Sequence, residues 1–388
     1  MPCVLDQLTR TEAAAPVADA VRLHHYLALV PDPRGRRGRL YPLVPLLSAA
    51  AASVLAGARS LTAIGEWLAD APRWALRALG FAPDPLTGRI PVPHPGTVRR
   101  LLARLDGDAL DAAIGSFLTA RNTPTAAGGL RPIAVDGKTV RGSRTATSPA
   151  IALLAAMTHT GDVLAQRQVA DKSNEIPAFA PLLDTLDLTH TVITADALDT
   201  QHAHGTYLRE RGAHYIAHVK ANHPGLFDRV RRLPWREITL DHYERTRAHH
   251  RQEIRRLKTA AFDHIDYPDA KQALQVVRWR RDFTSGKLTI ERVYLITSLP
   301  PGAATGAQLA AWIRGHRTIE NLLHHVRDRT FREDDSKIRT AALPRTMASL
   351  RNLAISVHRQ DGHTNIAAAL RQSARERLRP LTALGITG

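Results

Sequence analysis

Three acidic residues stand where chemistry on a polyanion could be done: Asp136, Asp196 and Glu320. Asp136 closes the apolar run Ile133-Ala134-Val135 and is followed by Gly137, then by Lys138, Arg141 and Arg144. A carboxylate where a buried strand emerges, beside several cations, suits metal-assisted chemistry on such a substrate. The plainer alternative is an Asp–Gly turn on a solvated loop. Asp196 ends a second apolar run, within His190 to Leu198. If the strands carrying these two acids pair, their carboxylates become neighbours. Glu320 lies within Gly306 to Phe331, where helical spacing puts Ile313, His316, Arg317, Glu320, His324 and Arg327 on one face. Set among cations and imidazoles, it is either part of a site or one partner in ordinary i,i+3 and i,i+4 ion pairs.

The elements around these residues divide the chain into regions. From Leu43 to Leu118 the pattern is helical, with Ser60 as an N-cap and Gly80 as a stop. The helix near Thr97 carries Arg99, Arg100 and Arg104 opposite an apolar face of Leu101, Leu102 and Leu105. Such a stripe fits either a recognition helix or a solvated face. The loop Pro31 to Pro42, rich in arginine, is equally a phosphate-gripping arm or a linker. From Leu130 the order β-β-β-α-β-α-β argues for a mixed sheet with helices packed on it, with Thr160-Gly161-Asp162 as a hairpin turn. From about 224 to 300 alternation and β-branched residues predict further strands, with a turn at Ser285-Gly286. The resulting division is 1–125 as a helical, DNA-contacting domain, 126–223 as the first part of an α/β core, 224–302 as an inserted β-rich subdomain, and 303–388 as core completion and C-terminal helices. Arg121 to Gly129 is the linker between the first two.

Composition narrows the classes. Among 388 residues, 53 Lys+Arg stand against 36 Asp+Glu, a formal net charge of +17 spread along the whole length. That balance predicts attraction to polyanions such as DNA. The single cysteine, Cys3, excludes a disulfide framework or a cysteine-based zinc site within one chain. His202, His204, His249 and His250 do not make a zinc site on their own. The N-terminus lacks the order of a signal peptide. The most apolar run, Leu43 to Ala58, is short for a membrane span, contains Pro45 and reads as a buried helix. These features predict a soluble, cytoplasmic, nucleoid-associated protein with no membrane partner.

Taken together, AVDGKTVRGS, ITADALDTQ, YLITSLP and RGHRTIENLLHHVRDRTFREDDSKIR resemble the insertion-sequence transposases of the DDE superfamily, in the branch that contains the H-repeat-associated proteins. PDPRGRRGRLYPLVPLLSAAAASVLAGARSLTAIGEW also resembles that branch's N-terminal region. The resemblance implies a ribonuclease-H-like core with Asp136, Asp196 and Glu320 as a metal-binding catalytic triad. The spacings are 60 and 124 residues, the second lengthened by the insertion. Where a related pattern has tyrosine, arginine and lysine around the glutamate, this chain has Ile313, His316 and Arg327.

Hard carboxylate ligands predict two Mg²⁺ or Mn²⁺ ions. The implied reaction is cutting at element ends followed by transfer of the 3′-OH into target DNA. Lys138, Arg141, Arg144, His316, Arg317 and Arg327 become candidate phosphate contacts, with Arg99, Arg100 and Arg104 on the N-terminal domain. Trp279 could stack on an unpaired base or simply pack in its strand. The implied partners are double-stranded DNA and a second copy of the chain on paired ends. The alternatives are a metal-dependent nuclease with the same core, or a domesticated DNA-binding protein without chemistry.

Overall fold

The computed structural model describes residues 21–122, 129–170, 175–196, 200–221, 223–248, 250–261 and 265–386. The helical signals before residue 21, most of the predicted linker, and His249 therefore lie outside the described residues.

The N-terminal region is helical: α1 (Leu23–Leu27), α2 (Leu43–Leu55), α3 (Leu61–Ala69), α4 (Arg73–Ala78), α5 (Pro95–Leu102) and α6 (Gly107–Arg121). α2 is apolar all round and accordingly buried, with Leu46, Leu47, Ala49 and Ala50 at 0% exposure. Local chemistry sets the other starts. The Ser60 hydroxyl accepts from the Ala63 amide at 3.1 Å to cap α3. Asp106 accepts from the Asp108 and Ala109 amides at 2.9 and 3.1 Å to cap α6. Gly80, at φ 94°, follows α4 in a conformation that a side chain resists.

The middle of the chain folds as β1 (Arg131–Thr139), β2 (Ala152–Thr158), β3 (Val163–Gln168), α7 (Ile176–Leu183), β4 (Thr191–Ala195), α8 (His202–Glu210) and β5 (His214–Val219). The β1–β2 and β2–β3 pairs are antiparallel; β1–β4 and β4–β5 are parallel. Gly161 at φ 108° turns the β2–β3 hairpin as the sequence predicts. The spatial order β3-β2-β1-β4-β5 is the mixed sheet of a ribonuclease-H-like core.

The insertion opens on a helix, α9 (Pro224–Arg231), where the sequence pattern suggested strands throughout; Pro224 supplies the fixed φ that starts it. Then come β6 (His242–Ala248), β7 (Arg251–Ala261), β8 (Gln272–Asp282) and β9 (Leu288–Thr297). The Ser285-Gly286 turn forms, with the Asp282 carboxylate accepting from the Thr284 and Ser285 amides. β9 pairs antiparallel with β5, so these strands prolong the core sheet to nine: β3-β2-β1-β4-β5-β9-β8-β7-β6.

The chain ends with α10 (Gly306–Gly315), α11 (Leu343–Gln360), α12 (Ile366–Arg375) and α13 (Leu378–Ala383). α11 packs against both α2 and α6 and shares one apolar core with them. Between α10 and α11 the predicted single helix is not uniform. It breaks at 316–317, then runs through π-helical turns at Glu320–His324 and Val326–Thr330. Seven residues are about two full α-helical turns, which would stack Arg327 beneath Glu320. The wider i→i+5 winding turns through less per residue, and the two face different ways: Glu320 is exposed and Arg327 is 0% exposed.

Candidate functional site

The parallel β1–β4 register pairs Val135 with Ala195, so Asp136 and Asp196 follow paired residues of neighbouring strands. Asp196 lies just past the end of β4, but Asp136 does not end its strand as the sequence suggested, because β1 continues to Thr139 along β2. Asp136 is mostly buried, at 24% side-chain exposure. Burial pushes its carboxyl up to about 7, and the charges of Glu320, Glu175 and Asp196 push the same way, against a hydrogen bond from the Gly137 amide. Glu320 and Asp196 thus both lie within electrostatic reach of Asp136. Asp196 is half exposed and ion-paired to Lys220 Nζ at 2.9 Å.

Glu175, which the sequence did not single out, is a fourth carboxylate here. It lies so close to Gly137 that a Cβ at that position would collide with its carboxyl group. Burial and the charge of Asp196 push its own carboxyl up. No local pattern could have announced it, because α7 is brought onto the end of β1 only by the packing of the sheet.

The group nearest Asp136 that could carry positive charge is His324, whose Nδ1 is 3.5 Å from Asp136 Oδ2. Burial, followed by the charges of Arg327 and Lys138, pushes that imidazole down to about 3, so it is neutral at pH 7. Three more imidazoles lie nearby. His159 Nε2 is 3.2 Å from Thr194 Oγ1, and the His218 and His316 rings are 6.0 Å apart. Burial lowers all three, His159 and His218 to about 4.

Several expected phosphate contacts turn inward. Lys138 is 8% exposed and places Nζ 2.7 Å from Asp328, because β1 carries it beneath the segment that holds this carboxylate. Arg327 donates through Nε to Glu333 at 2.9 Å and through Nη1 to Gln166 at 3.3 Å, all three buried. Both are structural ion pairs in this structure, not free cations. His316 is a largely buried neutral ring at the helix break. One face of Trp279 is covered by the Arg256 guanidinium, 5.1 Å from the ring centroid. Arg141, Arg144, Arg317, Arg99 and Arg100 are exposed as expected. Arg104 is exposed but donates to the Pro33 carbonyl at 2.9 Å and anchors the arginine-rich loop.

Among the described residues no group of three or more His, Cys, Asp or Glu is already closed around a metal position. Carboxylate oxygens are the kind of ligand that hard divalent cations take. Among the described residues, the group within ion-pair distance of the Asp136 carboxylate is the neutral His324 imidazole, and burying charge without a counter-charge is unfavourable.

The comparisons with known proteins agree with this geometry. Residues 24–118 match the family described as DDE_Tnp_1-associated, and residues 127–357 match the transposase DDE domain. An uncharacterized protein of the dhlA 3′ region of Xanthobacter autotrophicus is 32% identical over 288 residues, covering 70% of this chain and 93% of that protein. The candidate transposase YncI of Escherichia coli O157:H7 is 25% identical over 351 residues, covering 86% of each. The H repeat-associated candidate transposase YhhI of Escherichia coli (strain K12) is 29% identical over 252 residues, covering 59% of this chain and 64% of that one. A domain match across more than half the chain, over the strands and helix that bear the acids, decides the family: this chain belongs to the DDE-domain transposases, enzymes that act on DNA.

Proposed function

We propose that the enzyme cuts DNA at the ends of an insertion sequence and joins the freed 3′-OH to target DNA, with Asp136, Asp196 and Glu320 as the ligands of two Mg²⁺ or Mn²⁺ ions. The observation that carries this reading is the state of Asp136: buried, facing Glu320, Glu175 and Asp196, and pushed up to about 7. A carboxylate in that state gains most from a bound cation, which both screens the repulsion and holds the group ionised. Divalent ions bound there would lower the pKa of an attacking water and stabilise the leaving oxygen of a phosphodiester.

The chain's own groups have separable roles in this reading. Asp136 is presented from within β1, Asp196 from just past the end of β4, and Glu320 by a π-helical turn of the kind found at functional positions. Lys220 neutralises Asp196 and must release it when the carboxylate turns to a metal. His324, held neutral, can accept or donate a hydrogen bond to Asp136 without competing as a cation. Arg141 and Arg144, just after β1, and Arg317, at the break before Glu320, are exposed cations that suit the phosphates flanking the cut. Double-stranded DNA is the partner, a homodimer on paired ends is the working assembly, and the bacterial nucleoid in the cytoplasm is the place of action.

The test incubates the full chain with labelled element ends, a target plasmid and Mg²⁺. Joined products that disappear in Asp136→Ala support the reading. Cleavage without joining would instead identify a nuclease. Binding without either reaction in the wild-type chain would identify a non-catalytic DNA-binding protein and overturn the proposed chemistry.

A further inference from the structure

A cleft of about 770 Å³ opens away from the carboxylates, between the N-terminal helices and the segment that follows the Glu320 helix. Arg59 and Arg99 line one side, Arg332, Lys337 and Arg339 the other, and the only carboxylate among its lining residues is Asp335. Arg332 is ion-paired to Asp335 at 3.0 Å. Among the described residues, Arg59, Arg99 and Lys337 have no ion-pair partner. α3 begins at this cleft, and Ser60 at its start lines the wall, so the positive end of a nine-residue helix adds to the field. Like charges gathered around a cavity repel one another, and the arrangement is favourable only when an anion enters.

The cleft is also tied to the strand that carries Asp136. Arg339 Nε donates to the Gly142 carbonyl at 3.1 Å. A Cβ at Gly142 would strike the backbone oxygens of Glu333, Asp334 and Ser336, so only glycine lets the end of β1 lie against the cleft segment. Arg141, whose side chain is 80% exposed, stands beside that junction.

We propose that this cleft binds the phosphodiester backbone of duplex DNA, clamping it between the N-terminal helices and the segment 331–340. The inference rests on the reading of the chain as an enzyme that cuts and joins DNA, and adds a binding site to it. Guanidinium forks suit phosphate oxygens, and backbone contacts position a duplex without reading its sequence. The duplex could be the element end beyond the cut or the target; the chemistry is shared, and the experiment separates them.

The experiment measures binding of the full chain to a terminal-repeat duplex and to a plasmid fragment without the repeat, each across a salt series. The cleft variant combines Arg99→Glu with Lys337→Glu. The control, Arg231→Glu with Arg232→Glu, makes the same charge change on exposed residues of α9. Each phosphate contact contributes about 0.9 to the slope of log K against log salt. The cleft variant is expected to lose about 2 from that slope and at least about 10-fold in affinity, with the control near wild type. Loss confined to the terminal-repeat duplex assigns the cleft to the element end; equal loss on both duplexes assigns it to backbone contacts shared with target. Lys337→Gln, a milder change at an exposed position, should lose about 1 from the slope and keeps the test open if the double variant melts at lower temperature. Wild-type slope and affinity in the cleft variants would overturn this inference alone. A wild-type chain that binds neither duplex would overturn the underlying reading as well.

Discussion

Two clusters of buried charge lie within seven residues of each other along the Glu320 helix, and they are built on opposite principles. Around Arg327 each charged group touches an opposite charge, with two guanidiniums sharing one carboxylate. Glu333 accepts from Arg327 and from Arg351 Nη1 at 2.9 and 2.7 Å, and Gln166 links the group to Asn352. Burial pushes the Glu333 carboxyl up, but the two guanidiniums outweigh it and hold it near 2. Around Asp136 several carboxylates lie together, and burial and the neighbouring acids act together to raise it to about 7, with Lys220 ion-paired to Asp196 but not to Asp136. The first arrangement is a completed structure. The second is a site that gains by binding something positive. Both contain conspicuous charged residues of a family motif, so residue type does not separate structural from chemical roles; compensation does.

The largest expected effect is on catalysis. Replacing Asp196 or Glu320 by alanine should lower strand cleavage by about 10⁴-fold or more, since metal-assisted stabilisation is worth several kcal/mol. Single-turnover cleavage of labelled ends measures it, and residual activity within tenfold of wild type would remove those residues from the site.

Breaking the answered cluster should act on stability. Arg327→Ala leaves Glu333 buried with one partner fewer and should lower unfolding free energy by about 3–5 kcal/mol, read by urea denaturation. Replacing Arg327, Glu333 and Arg351 together with apolar residues should cost much less. If Arg327→Ala keeps its stability and loses DNA affinity, the contrast between the two clusters is wrong.

The clusters should also titrate with opposite sign. Stability rises with pH wherever the unfolded chain binds more protons than the native one. Glu333, depressed to about 2 from 4.5, contributes stability that is full above the unfolded value and is lost as pH falls toward 2. Asp136, raised from 3.8 to about 7, holds its proton longer in the native state, so metal-free stability should fall as pH rises between those values. Asp136→Asn should therefore stabilise the metal-free protein at pH 8 by on the order of 1–3 kcal/mol and flatten that limb of the pH profile. A destabilised variant would show that Asp136 is satisfied by partners it already has.

The smallest effect is expected at Glu175. Glu175→Gln removes one negative charge beside Gly137 and should change Mn²⁺ affinity by up to about tenfold while keeping the fold, as calorimetric titration would show. Unchanged affinity would mean that the fourth carboxylate does not reach a bound ion.

Local pattern was a good guide wherever the neighbours along the chain set the outcome. The apolar runs before Asp136 and Asp196 became paired parallel strands, although β1 runs on past Asp136 to Thr139. Caps and glycines marked α3, α4 and the two hairpins. α9 was missed because its eight residues sit amid strand-like alternation, and the π-helical turns because helical periodicity assumes one winding throughout. Spacing also gave no sign of the carboxylates that meet Arg327 and Lys138, because packing brings those segments to them.

Residue order by itself determined the apolar strands that lead to Asp136 and Asp196, the basic charge balance and the family, because strands, turns and motifs are written in neighbouring residues. Tertiary structure alone decided which charges are answered. Glu175 against Gly137, Arg327 against Glu333, and the union of Arg59 and Arg99 with Lys337 each join residues far apart in the chain or turned by a change of helical winding. Burial and counter-charge depend on what surrounds a group in space, and spacing along the chain does not carry that information.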